Sequence, residues 1–160
     1  MKQIYRITVL VLAMAVSFSS IAKCEEEEVL QTLNAIKTHV ETGVSPETLA
    51  RLLDDAKAQI DILEQDDIGD DCFRKAVTNC YYWYNLARRS RETMVANQVQ
   101  RDKYDREAIF GDVDMRPTYE KMVANYEQLI RHVHEALQSK WEYGNAALQV
   151  AHECLEAKDK

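Results

Sequence analysis

The chain has 160 residues, 46% of them hydrophobic and 29% charged, with a formal net charge of −7. That is one domain's worth of chain, long enough to bury a single core. The acidic balance repels phosphate, which argues against a nucleic-acid partner and against adhesion to anionic lipid.

The first 22 residues read as an export signal. Lys2 and Arg6 make a basic start, and Ile7 to Phe18 is an almost unbroken apolar stretch. Ser20-Ile21-Ala22 then sets small residues where a signal peptidase requires them. The apolar run is shorter than the roughly 20 residues that span a bilayer. Cleavage after Ala22 is the expectation, and a retained anchor is the alternative. Cys24 invites a lipidation reading, but that chemistry needs a small residue before the cysteine and Lys23 stands there. The expected mature part, 23–160, loses Lys2 and Arg6, so its charge falls from −7 to −9. It contains no second apolar run, hence no membrane span, and a bacterial periplasm is the expected compartment.

Four helices follow in order. Glu25 to Glu41 is the first, with Val29, Leu33, Ile36 and Val40 on one face. Gly43 is its stop. Ser45-Pro46-Glu47 starts the second, Ser45 as N-cap and Pro46 in the first turn. Leu49, Leu52, Leu53, Ala56, Ile60 and Leu63 make its stripe. The acidic break Asp66–Asp71 reads as a solvated turn in which Asp70 or Asp71 caps the third helix; weak calcium binding is the other reading. The third helix begins near Asp71 and runs past Val95 towards Tyr104, losing apolar character. Phe110 to Met115 reads as a loop. The fourth helix starts near Pro117 and keeps helical spacing through Tyr126, Val133, Trp141 and Leu155, with Gly144 as a point of bending or breakage. The fold class is therefore all-α, an up-down four-helix bundle with two longer C-terminal helices that project at one end as a bare hairpin.

Cys24, Cys72, Cys80 and Cys154 all fall at the same end of such a bundle. An even count in an oxidising compartment implies two disulfides. Cys72 and Cys80 lie about 12 Å apart along a helix, beyond disulfide reach. Cys80 and Cys154 share apolar stripes, which favours that pair and leaves Cys24 with Cys72. The alternative is Cys24 with Cys80 and Cys72 with Cys154.

The search for chemistry returns little. There is no Cys-x-x-Cys-His run for covalent haem, no Glu-x-x-His pair for a di-iron bundle, no Gly-x-Ser-x-Gly and no glycine-rich phosphate loop. No catalytic constellation, cofactor or metal site is expected. His132 and His134 point roughly 160° apart on a helix and cannot share a metal. The least ordinary stretch is Tyr81-Tyr82-Trp83-Tyr84, followed by Arg88, Arg89 and Arg91. Four successive residues sweep about 300° of a helix, so one face cannot bury them all. Aromatics and arginines dominate binding hot spots. Tyr81, Tyr82, Trp83, Arg88 and Arg89 are accordingly the candidate binding residues, with guanidinium groups placed to stack on exposed rings.

Gly43-Val44-Ser45 and Leu52-Leu53-Asp54-Asp55-Ala56-Lys57, followed by an aromatic-rich third helix, resemble a group of small exported bacterial helical proteins without an assigned activity. The resemblance covers about a third of the chain and rests on a cap and an amphipathic face, so it implies fold alone. The functional expectation is a non-enzymatic envelope protein that binds another protein or itself. The alternative is a bundle holding a small ligand, metal or haem near His132, His134 or His152.

Overall fold

The computed structural model describes residues 23–42 and 45–158; residues 1–22, where an export signal is expected, and Gly43 lie outside them. The fold is an all-α helical bundle. Helix α1 covers 23–41, α2 Pro46–Gln65, α3 Asp71–Phe110 and α4 Arg116–Lys158, with a 3-10 turn at Val113–Met115 between the last two. No strand occurs among the described residues. No described helix is long and apolar enough to cross a membrane.

The helix starts follow local chemistry. The Thr48 amide donates to Ser45 Oγ at 3.3 Å, with Pro46 in the first turn of α2. The Phe73 amide donates to Asp70 Oδ1 at 2.7 Å, which caps α3. Between α2 and α3 the Arg74 guanidinium ties back to Asp67 and, at 2.7 Å, to Asp71. The acidic turn is thus occupied by a helix N-terminus and an arginine. Gly69 sits there at φ +83°, and a Cβ on it would stand 2.8 Å from Glu26 Oε1. The left-handed backbone favours glycine there, and any larger residue would also push the Glu26 carboxylate aside.

Pairs bridging α3 and α4 run Cys72 with Cys154, Tyr84 with Trp141, Ser90 with Lys140 and Tyr104 with Tyr126. One number rises as the other falls, so the two helices are antiparallel. Asn34 with His152 and Glu26 with Lys158 set α1 antiparallel to α4 in the same way. The core gathers Leu33 and Ile36 of α1, Leu53, Ile60 and Leu63 of α2, Phe73, Val77 and Tyr84 of α3, and Leu148 and Ala151 of α4. Glu26 is buried among them and is neutralised by Lys158 Nζ at 2.6 Å.

The core stops partway along the long helices. From Arg91 to Tyr143 no residue is buried. These residues form a two-helix arm whose α3 part alone is about 30 Å long. A projecting hairpin was expected, but α3 continues six residues beyond Tyr104, to Phe110, before Gly111 caps it. Gly144 does not break α4. It is buried, and a Cβ there would overlap the Tyr84 ring; the glycine lets two helices approach.

The cysteines depart from the favoured pairing. Cys72 pairs with Cys154, with Cα atoms 5.9 Å apart, while Cys24 is exposed and free and Cys80 is buried and free. Neither Cys80–Cys154 nor Cys24–Cys72 forms, and one disulfide stands where two were expected. Stripe membership identifies which face a cysteine occupies but not its level along the helix. The antiparallel register puts Cys154 level with Cys72, two turns from Cys80.

Candidate functional site

The aromatic run divides by face. Tyr84 is fully buried, its hydroxyl donating to Asn145 Oδ1 at 2.7 Å and its ring 4.4 Å from Trp141. Tyr81 is half-buried against the core. Tyr82 is 53% exposed, and the half-buried Trp83 meets it edge-on at 5.3 Å. On its other side Trp83 lies 4.9 Å from Tyr143 of α4, itself 57% exposed. Tyr82, Trp83 and Tyr143 thus form a solvent-facing aromatic patch spanning two antiparallel helices. Such ring contacts add about 0.5–1.5 kcal/mol per pair beyond area burial, which favours this arrangement of the patch.

Tyr143 escaped the sequence reading because it lies off the apolar stripe of α4. Only the α3–α4 register, which sets residue 143 opposite residue 83, exposes its role. The expected arginine stacking does not occur: among the described residues the one cation over a ring is Lys103, 5.7 Å from the Tyr104 centroid. Arg89 is exposed on the Tyr82 side of α3. Arg88 turns elsewhere, donating to Glu92 at 2.5 Å and to Asn85.

Arg88 and Arg91 line two adjoining cavities where the arm leaves the bundle. One, of about 200 Å³, is walled by Val40, Leu49, Leu137 and Trp141. The other, of about 280 Å³, is walled by Pro46, Leu49, Val95, Ala96 and the Glu92 carboxylate. This junction is built from all four helices and has no signature in any one segment.

The buried polar groups of α3 are chemically quiet. Burial pushes the Cys80 thiol up to about 12, although a hydrogen bond with Tyr84 works against it. Burial, then the neighbouring Cys80, also pushes the Tyr84 phenol up. A thiol held protonated is a poor nucleophile and a poor metal ligand. The histidines do not converge: His132 and His134 are exposed on the arm, and His152 Nε2 lies 3.1 Å from Asn34 Nδ2. No group of three metal-ligating side chains occurs among the described residues.

Comparison with protein-family models, with curated proteins and with solved structures gave no match to this chain.

Proposed function

We propose that this chain is an exported, non-enzymatic helical-bundle protein that binds a protein partner in the cell envelope through Tyr82, Trp83 and Tyr143. The observation that carries the reading is the exposed, mutually packed aromatic patch. Rigid aromatics at a solvent-facing site are the residues that anchor protein interfaces. The non-enzymatic reading is supported by the protonated, buried state of Cys80 and by the engagement of the Tyr84 hydroxyl with Asn145. The export reading is supported by the Lys2–Ala22 pattern and by the Cys72–Cys154 disulfide, a bond that persists in oxidising compartments. The kinship with small exported bacterial helical proteins belongs to the same proposal.

A photo-crosslinking residue placed at Tyr82 in cells exporting the protein tests it. Discrete adducts that disappear with Trp83→Ala, and that a probe at Lys75 does not give, are the expected result. Identical adducts from both probe positions would remove the patch from the reading.

A further inference from the structure

We propose that two copies of this chain associate antiparallel through their arms, the tip of each seated in the junction cavities of the other. The surface concerned is a different one from the aromatic patch: Val95 lies about 140° round α3 from Tyr82.

Three observations converge on a second copy as the occupant. The first is the tip. Phe110 is 83% exposed, Val113 69% and Met115 42%, so the turn between α3 and α4 presents an apolar knob that nothing among the described residues covers. Asp112 and Asp114, both exposed, are interleaved with it. The second is the junction. Its cavities have apolar walls, two guanidinium groups and the Glu92 carboxylate, which Arg88 holds in an ion pair, whereas the Arg91 side chain makes no hydrogen bond or ion pair among the described residues. An aromatic knob carrying carboxylates complements an apolar hollow in which the Arg91 guanidinium is unpaired.

The third is the distribution of charge. The arm, 91–143, holds eight basic and ten acidic side chains, so the rest of 23–160 carries −7 of the −9. Within the arm the acidic excess lies at the outer end: 102–124 has four basic against six acidic residues, whereas 91–101 with 125–143 has four of each. Antiparallel pairing sets each acidic tip beside Arg91 on a base without net charge. It also keeps the two acidic bundles at opposite ends, away from their mutual repulsion.

The geometry closes. Tip and junction are about 27 Å apart along α3. A single two-fold axis across the arms therefore makes both contacts at once, as an isologous interface requires. Val99, 58% exposed, lies between the two contacts and would be covered by the partner's arm, next to Val95 at the edge of the junction. Two hairpins so placed make a second four-helix bundle outside the first.

Sedimentation velocity of the oxidised protein across a concentration series is the test. A monomer–dimer equilibrium is expected, weakened by raised salt and by Phe110→Ser, roughly ten-fold or more for the latter. Arg91→Glu alone and Asp112→Arg alone should each lose dimer, because both place like charges together. An equimolar mixture of those two variants should regain it. At one end of the heterodimer the two substituted positions meet, a carboxylate at 91 facing a guanidinium at 112. At the other end the native Arg91 meets the native Asp112. All three positions lie outside the core, so unchanged far-UV dichroism is expected of each variant. A monomer at every concentration would overturn the inference. So would a dimer indifferent to Phe110→Ser, a mixture no tighter than its parts, or a dimer lost with Tyr82→Ala instead. A failure here leaves the aromatic-patch reading standing, because that reading is tested at Tyr82.

Discussion

Cys80 and Tyr84 are the residues whose behaviour most depends on the fold. Both hold their protons more firmly folded than unfolded. Below pH 9.0, the ordinary thiol value, the Cys80 contribution to stability is fully present. As pH rises from there to about 12, the unfolded thiol ionises while the folded one does not, so stability falls. The Tyr84 phenol adds the same sign at higher pH. Denaturant midpoints should therefore drop on alkalinisation, and Cys80→Ala should flatten that drop. In native conditions a thiol reagent should label Cys24, which is exposed, and not Cys80. Gly144→Ala should cost about 1–3 kcal/mol, because its methyl must displace the Tyr84 ring in a closed core. A thermal melt indistinguishable from wild type would contradict that packing.

Helix starts were legible in the sequence because they depend on neighbours in the chain. Ser45-Pro46 and Asp70 are caps wherever they occur before a helical stripe. The end of α3 was less legible. An apolar stripe reports burial, and it fades after Ala87 because the arm leaves the core. Helix formation itself continues on Gln98, Gln100, Arg101 and Glu107, which are good helix formers without a stripe. The Cys72–Cys154 bond and the Trp83–Tyr143 contact were illegible for a shared reason: both depend on interhelical register, which no single helix encodes. The same contrast sets the dynamics. Amides in the arm, 91–143, should exchange hydrogen faster than those of α3 between Phe73 and Ala87, where buried side chains hold the helix down. Equal protection of the two regions in the monomer would contradict a bare arm.

At the scale of the whole molecule, one core, one disulfide and one projecting hairpin divide the work. The disulfide joins positions 82 residues apart and ties the start of α3 to the end of α4. Closing so long a loop stabilises a domain by roughly 2–4 kcal/mol, so Cys154→Ser should lower the melting temperature and leave the helical content intact. The stapled bundle holds the aromatic patch rigid on one side and the junction cavities on another. The arm carries the apolar tip away from the acidic bundle. All-α architecture followed from periodicity alone, whereas the candidate surfaces became visible only once helices were placed side by side.

The most direct measurement is the intact mass and non-reducing peptide map of the protein exported to a bacterial periplasm and purified without reductant. The expected result is a chain beginning at Lys23, two hydrogens lighter than the fully reduced form and free of adduct, with Cys72 and Cys154 in one linked peptide. Four free thiols, a Cys80–Cys154 linkage, or a retained metal or chromophore would contradict the proposal of a disulfide-stapled binding protein.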